Sequence, residues 1–221
     1  GGGEFRQPLM PNNAGGFSNL FNPSTGDFAG KYTLNMLCGG LSPAPTAPGA
    51  ALDNISGGGP YQNLGVPGAK TAHLLASGYG NPANLPLGLA NPYFTRFAAS
   101  TTSSVISDAL AQNPTFVSLW IGNNDVLGYA TTGGDGSNPI TPVDGTVGVG
   151  FNSTYSYLID TLFPSGSTRK GVIANIPDVT AIPFFKTVPS KPISNLTSTQ
   201  VAQLNGAYAA YNTGILQLKN M

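Results

Sequence analysis

The stretch Phe116-Val117-Ser118-Leu119-Trp120-Ile121-Gly122-Asn123-Asn124-Asp125 decides the fold expected for this chain. Six mostly apolar residues precede a glycine and three side chains that carry hydrogen-bonding groups. This pattern is typical of a buried parallel strand that delivers a polar site at its carboxyl end, where open α/β sheets carry out their chemistry. We therefore expect Trp120 in the strand core, and Gly122, Asn123, Asn124 and Asp125 in the loop of a site. Asp125 is expected to orient that loop.

Other segments alternate between strand and helix patterns along the chain. We expect short strands at 61–66 and 171–176, and apolar residues at helical spacing predict helices at 69–77, 92–112, 151–163 and 198–219. Asn91 before Pro92 can cap the helix that begins at 92, and the capping pattern Thr197-x-x-Gln200 marks the start of the last helix. The alternation predicts an α/β fold with a parallel sheet. With only about three strands in evidence, we expect the sheet to be incomplete.

The length of 221 residues suits one domain, so we expect residues 1–221 to form a single unit. Clusters of Gly, Pro, Asn and Ser interrupt any periodicity in residues 1–60, which we expect to be a long irregular segment resembling an insertion. Residues 128–150 are rich in Gly, Thr and Asp and are expected to form a loop over the end of the strand at 116.

The composition excludes several classes of partner. Charged residues are 8% of the chain, with nine basic and nine acidic side chains, so neither nucleic acid nor an anionic membrane surface is an expected partner. No apolar run is long enough to predict a membrane span. Low charge with many small polar residues favours an exported protein, whether periplasmic, associated with the outer membrane or extracellular. No Cys/His cluster or phosphate-loop motif occurs, so we expect neither metal nor cofactor.

Two loops that follow predicted strands are candidates for one site. Parallel strands end at the same edge of a sheet, which brings the turn at Gly68 towards the loop of Asn124. The backbone N–H of Gly68 and the carboxamide of Asn124 can then donate to one oxygen atom. That arrangement stabilises the oxyanion of a tetrahedral intermediate.

The same residues resemble a known family. The block Asn63-Leu64-Gly65-Val66-Pro67-Gly68-Ala69, the block from Gly122 to Asp125 and the segment Asn175–Thr180 are similar to segments of the SGNH (GDSL-type) hydrolases, in particular exported bacterial lipases and esterases. The resemblance implies a three-layer α/β/α flavodoxin-like fold and hydrolysis of carboxylic esters by a Ser-His-Asp triad. It also implies an oxyanion hole of Ser, Gly and Asn, to which Gly68 and Asn124 correspond by motif.

The remaining motifs of that family are not found in this sequence. The Gly-Asp-Ser-Leu block that carries the nucleophile and the Asp-x-x-His block are both missing, so we expect these residues outside the 221 residues and predict that the isolated chain is inactive. Gly26-Asp27-Phe28-Ala29 is similar to the nucleophile block, but Phe28 has no nucleophilic atom. His73 has Lys70 three residues before it and is expected to be a surface or half-buried helix residue.

The expected substrate is a small-molecule or lipid-like ester. Ile182, Phe184 and Phe185 either line an apolar acyl-binding wall or pack beneath their own loop, and the sequence favours neither. A non-catalytic module that binds carbohydrate or a surface is the alternative, since the triad is missing and the loops are rich in Gly, Asn and Thr. A β-rich adhesin fragment is a third option, which a high helix content would exclude.

Overall fold

The structure is a computed structural model that describes residues 4–22, 24, 27–37, 40–132, 145–182, 185 and 196–219. Its strands are β1 (Tyr32–Leu37), β2 (Gly40–Pro45), β3 (Phe116–Leu119) and β4 (Lys170–Ile173). Its α-helices are α1 (Pro92–Thr95), α2 (Val105–Ala111), α3 (Asn123–Thr131), α4 (Phe151–Leu162) and α5 (Ser198–Lys219). Single turns of 3₁₀-helix lie at Ser56–Gly58, Thr71–Leu74 and Val179–Ala181, and a longer one lies at Pro82–Leu87.

The chain divides into two compact units, Gly1–Pro177 and Asp178–Met221. The first unit contains all four strands and α1 to α4. The second contains the 3₁₀-helix at Val179–Ala181 and α5. The Thr197 capping pattern is confirmed, because Gln200 N–H donates to Thr197 Oγ1 over 3.3 Å and Thr197 N–H donates to Gln200 Oε1 over 2.9 Å.

A parallel pair of strands lies in the first unit and bears out the mixed α/β class. β3 pairs with β4 in parallel, and Phe116 lies opposite Lys170 in the register. α3 and α4 belong to the connection between the two strands, as parallel strands require a long crossover. The predicted cap of α1 is also confirmed, since Asn91 Oδ1 accepts from Tyr93 N–H over 2.9 Å.

The core lies between one face of β3 and the helices. Leu119 and Ile121 are buried there together with Phe94 of α1 and Leu158 and Leu162 of α4. α4 also packs against the 3₁₀-helix at Thr71–Leu74, which follows the Gly68 turn. Apolar burial is the main stabilising contribution in such a core, at roughly 25 cal/mol per Å². The core therefore supports both loops of the predicted site from one side.

The opposite face of β3 is open, which corrects the expectation for Trp120. Alternate residues of a strand point to opposite faces, and Phe116 and Trp120 share the face that Leu119 does not use. Phe116 is 61% exposed and Trp120 is 65% exposed, so Trp120 is not a core residue. The sequence pattern indicated a strand buried on both faces, whereas the described residues cover only one.

The strand predicted at 61–66 is wrong, although the segment has the expected direction. Gln112, which precedes β3, donates from its Nε2 to Tyr61 O over 2.7 Å, and Asn124, which follows β3, donates to Ala69 O over 2.9 Å. The segment therefore runs alongside β3 in the same direction. It forms no strand because, among the described residues, no neighbouring strand forms a ladder with it.

Two expectations of irregular structure are also corrected. Residues 1–60 contain the antiparallel hairpin β1–β2, in which Tyr32 pairs with Pro45 and Leu37 with Gly40. The loop expected from residue 128 begins later, because α3 continues to Thr131. Residues 133–144 lie outside the described part of the chain, and the same is true of Gly26 and Cys38.

A buried arginine ties the N-terminal segment to the first unit. Arg96, just after α1, is 2% exposed and pairs with Asp53. Its Nη1 donates to Pro8 O over 3.2 Å, and its Nη2 donates to Leu9 O over 2.9 Å. Hydrogen bonding to Arg96 holds the pKa of the Asp53 carboxyl below its ordinary value. The irregular segment is thus anchored by a guanidinium rather than by regular structure.

Candidate active site

The first loop of the site is a tight turn at Val66–Ala69. Ala69 N–H donates to Val66 O over 3.1 Å, and Gly68 has a φ of 77°. Proline at the second position and glycine with positive φ at the third indicate a type II turn. In the part of the chain that the structure describes, the N–H of Gly68 has no hydrogen-bond partner. A Cβ at Gly68 would meet nothing within 4 Å, so the glycine serves the backbone conformation.

The second loop is the junction between β3 and α3. Gly122 precedes the helix with a φ of 103°, and an added Cβ would lie 2.6 Å from Ile176 Cδ1. Gly122 is therefore required both for its conformation and for the close approach of the segment after β4. Asn123, Asn124 and Asp125 follow as the first residues of α3. This places the three polar side chains at the carboxyl end of β3, as the sequence predicts.

Two neighbouring side chains of α3 hold the Gly68 loop in place. Asn124 Nδ2 donates to Ala69 O over 2.9 Å. Asp125 Oδ2 accepts from Thr71 N–H over 2.9 Å and from Thr71 Oγ1–H over 3.0 Å. Thr71 and Asp125 are both 0% exposed, and an acidic group in the first turn of a helix is favoured by the helix dipole. Thr71 is therefore the partner of Asp125, and through it Asp125 holds the loop that carries Gly68.

The Asn124 carboxamide retains a donor after this contact. Its NH₂ group has two hydrogens, of which Ala69 O accepts one. Asn124 is half-buried and lines a groove along β3. Gly68 is exposed and precedes Ala69 directly. The hydrogen bond to Ala69 therefore brings Asn124 beside the residue that follows Gly68.

His73 is locked into a local network beside this site. Its Nδ1 accepts from Lys70 N–H over 3.1 Å and is 3.1 Å from Tyr79 Oη, whose hydroxyl in turn accepts from Asn91 Nδ2. Burial lowers the pKa of His73, the positive charge of Lys70 lowers it further, and Asp125 opposes the change. Burial likewise raises the pKa of Tyr79. His73 is half-buried as predicted, and its Nδ1 acts as a structural acceptor.

None of the three residues predicted to form an acyl-binding wall is described within the first unit. Ile182 and Phe185 belong to the second unit, and Phe184 lies outside the described residues. Phe28 is described and has a φ of 58°, but it offers no nucleophilic atom. Sequence reasoning missed Thr71, whose position two residues after Ala69 offered no motif. The one available signal was the position of Asp125 directly after a predicted buried strand, because a carboxylate in such a position requires a hydrogen-bond donor.

Metal chemistry has no cluster to support it in the part of the chain that the structure describes. There, no group of three or more His, Cys, Asp or Glu side chains is placed to hold an ion. No helix within the same residues has both the length and the apolar character to cross a membrane. No protein-family model, curated protein or solved structure matches the chain. The case for a function therefore rests on the geometry of this site.

Proposed function

We propose that Gly68 and Asn124 supply two donors of the oxyanion hole of a serine ester hydrolase of the SGNH type. The reaction is acyl transfer from a small-molecule or lipid-like ester to water, through attack of a serine hydroxyl on the ester carbonyl. As the carbonyl oxygen becomes an oxyanion, it accepts hydrogen bonds from the Gly68 N–H and from the remaining N–H of Asn124. Ala69 O and Thr71 hold the two donors in position.

One observation carries this proposal: the Asn124 carboxamide reaches the residue next to Gly68, whose own N–H has no partner among the described residues. A carboxamide that only satisfied local backbone groups of α3 would support a turn or cap role instead. Asn124 reaches across to a loop 55 residues away along the chain. The proposal includes a three-layer α/β/α flavodoxin-like fold and export of the protein. It assigns the nucleophile and its His/Asp partners to sequence outside these 221 residues.

The catalytic test uses a longer polypeptide in which residues 1–221 are preceded by a Gly-Asp-Ser-Leu segment and followed by an Asp-x-x-His segment. We expect this polypeptide to hydrolyse p-nitrophenyl esters, and the 221-residue protein to leave them intact. In the longer polypeptide, Asn124→Ala should lower kcat by about 10² to 10³ with a small change in KM, because the donor acts in the transition state. An unchanged kcat would remove Asn124 from the oxyanion hole.

A binding test needs no nucleophile and uses the 221-residue protein directly. Methylphosphonate presents anionic oxygens to the same donors, so it should shift the amide resonance of Gly68 in a saturable way. Asn124→Ala should weaken that shift, whereas Asn54→Ala, at an exposed asparagine that does not line the groove, should leave it intact. Equal responses in both variants would favour the non-catalytic binding module. If the 221-residue protein hydrolysed an ester, and its His73→Ala variant did so as well, the nucleophile could not be assigned to sequence outside these residues.

A further inference from the structure

The Gly68 N–H belongs to the central peptide of its turn, the peptide that joins Pro67 to Gly68. The hydrogen bond that closes the turn joins Ala69 N–H to Val66 O, which lie on either side of that peptide. α3 holds the turn at Ala69 O, which accepts from Asn124. Both contacts act at the ends of the turn, so neither sets the direction in which the Gly68 N–H points.

The central peptide of such a turn has two stable orientations. Type I and type II turns share the closing hydrogen bond and differ by a rotation of the central peptide through roughly 150 to 170°, which reverses its N–H and C=O. Pro67 suits the second position of both types, and Gly68 has no Cβ to oppose either. The φ of 77° at Gly68 corresponds to type II. A contact outside the turn is therefore needed to select this orientation.

Asn91 supplies that contact. Its Nδ2 donates to Pro67 O over 2.9 Å. A trans peptide is planar, with its C=O and N–H on opposite sides, so a donor at Pro67 O directs the Gly68 N–H away from Asn91. Rotation of the peptide to the type I orientation would break this bond. A hydrogen bond accepted by the C=O also polarises the peptide, which strengthens its N–H as a donor.

The Asn91 carboxamide is itself held by several partners. Its Oδ1 accepts from Tyr93 N–H over 2.9 Å, and its Nδ2 also donates to Tyr79 Oη over 3.2 Å. The backbone N–H of Asn91 donates to Tyr79 O over 2.9 Å. Tyr79 is 6% exposed, and its ring lies beside that of Phe94 in the core. Asn91 is therefore a fixed donor that ties the turn to the core of the first unit.

A second asparagine shows that helix capping does not account for this arrangement. Asn81 precedes Pro82 as Asn91 precedes Pro92, and Asn81 Oδ1 caps its helix by accepting from Ala83 N–H over 3.0 Å. In the part of the chain that the structure describes, the NH₂ group of Asn81 donates to no other residue, whereas that of Asn91 reaches a turn 24 positions away. Serine or aspartate would cap as well as asparagine. The cap therefore does not explain the amide at position 91.

We propose that Asn91 is a positioning residue of the oxyanion hole. By holding Pro67 O, it keeps the turn in its type II form and directs the Gly68 N–H towards the carbonyl oxygen of the ester. Asn91 touches neither the substrate nor the reacting atoms. Its part in catalysis rests on the proposed ester hydrolase function, but its effect on the turn is measured without a substrate.

Asn91→Ser tests the control of the turn in the 221-residue protein. Serine keeps a cap acceptor but is too short to reach Pro67 O. Asn81→Ser, the same change at the other Asn-Pro cap, is the matched control. In a type II turn the Hα of Pro67 lies close to the Gly68 N–H, so the natural protein and the Asn81 variant should give a strong nuclear Overhauser effect between these two hydrogens. Asn91→Ser should weaken it, because the peptide then also adopts the type I orientation.

The catalytic effect is measured in the longer polypeptide that carries the nucleophile. Asn91→Ser should lower kcat about three- to tenfold relative to Asn81→Ser, with little change in KM, which is the effect of one hydrogen bond on the population of the competent orientation. The loss should be smaller than for Asn124→Ala, because the Gly68 donor is misdirected part of the time and not removed.

The two measurements separate this inference from the function on which it rests. A folded Asn91→Ser protein with an unchanged Overhauser effect would overturn the control of the turn. Equal kcat in the Asn91 and Asn81 variants of an active longer polypeptide would overturn the role in catalysis. If the longer polypeptide were inactive without either substitution, the hydrolase function would fail, and the Overhauser effect would still decide whether Asn91 sets the turn.

A second variant covers the case in which Asn91→Ser does not fold. Asn91→Asp keeps the size of the side chain and the cap acceptor, but the ionised carboxylate has no donor for Pro67 O. It should weaken the same Overhauser effect, and an undiminished effect in the folded aspartate variant would count against the proposal in the same way.

Discussion

Two buried polar clamps join distant parts of the first unit, and they differ in kind. The Arg96 clamp joins residues 43 positions apart by an ion pair with Asp53, and adds hydrogen bonds to the carbonyls of Pro8 and Leu9. The Asp125 clamp joins residues 54 positions apart by two hydrogen bonds from Thr71. The first holds an irregular segment on a core, and the second holds two catalytic-loop candidates against each other.

The two clamps differ in the polar groups that lose a hydrogen-bond donor when a clamp residue is replaced. Removal of the Arg96 guanidinium would leave one carboxylate and two carbonyls without a strong donor, and the segment they belong to has little regular structure to retain it. Removal of one Thr71 donor would leave the Asp125 carboxylate with Thr71 N–H, in a region that the core already supports. We therefore expect the first clamp to govern stability and the second to govern the precision of the site.

The largest expected effect is that of Arg96→Met. Methionine fills similar space but cannot donate, so the free energy of unfolding should fall by about 3 kcal/mol, towards the lower end for a broken buried pair because Asp53 is partly exposed to water. Chemical denaturation followed by circular dichroism measures this change. Arg96→Lys, which retains the charge but not the planar set of donors, should cost less. Equal stability of the methionine variant and the natural protein would show that the apolar contacts alone anchor residues 8–10.

A smaller effect is expected from Thr71→Val, which removes the hydroxyl and keeps the shape and the backbone N–H. The loss should be about 1.5 kcal/mol, at the lower end for one hydrogen bond to a charged acceptor, because the Thr71 N–H continues to donate to Asp125. The amide resonances of Gly68 and Ala69 should nevertheless move, because their loop loses one of its attachments to α3. Thr71→Ser retains the hydroxyl and serves as the control. If the two variants gave the same spectrum around Gly68, the hydroxyl would have no part in positioning the loop.

The smallest effect is a pH dependence that originates at His73, beside the second clamp. Burial and Lys70 lower the pKa of His73 in the folded protein below its ordinary value of 6.5. As the pH falls below 6.5, the unfolded chain therefore binds a proton that the folded chain does not. The free energy of unfolding should decline through this range and level off below the folded-state pKa.

His73→Asn tests the origin of that decline. The asparagine carbonyl offers an acceptor close to the position of Nδ1 but does not titrate, so the decline below pH 6.5 should become shallower. Denaturation curves recorded at several pH values compare the two proteins. An unaltered pH profile in the asparagine variant would assign the dependence to other groups, of which Asp53 loses its stabilising charge only at lower pH.

The sequence predicted those parts of the fold that local chemistry determines. The periodic apolar residues of α4, the Asn91 cap of α1 and the pairing of Thr197 with Gln200 all depend on neighbours within a turn or two of helix. The Gly-Asn-Asn-Asp sequence after β3 placed the candidate loop for the same reason. Such features require no knowledge of what packs against them.

The features that the sequence did not reveal depend on distant partners. The segment at 61–66 becomes a strand only if another strand pairs with it. The apolar run at 116–121 is buried on both faces only if other elements cover both. Trp120 was wrongly predicted to be a core residue because the described residues cover only one face of β3. The contacts of Arg96 with Asp53 and of Thr71 with Asp125 join residues 43 or more positions apart. They follow no spacing rule, so no local sequence pattern could predict them.

The second strand of the hairpin at residues 32–45 carries two prolines, Pro43 and Pro45. Tyr32 pairs with Pro45 and Leu34 pairs with Pro43, so both prolines occupy positions of the second strand that face away from its partner. Proline has no N–H to offer, and a further chain approaching there would find acceptors without matching donors. Fibril-like stacking through that side is disfavoured by two residues, and this protection costs the hairpin none of its own pairing.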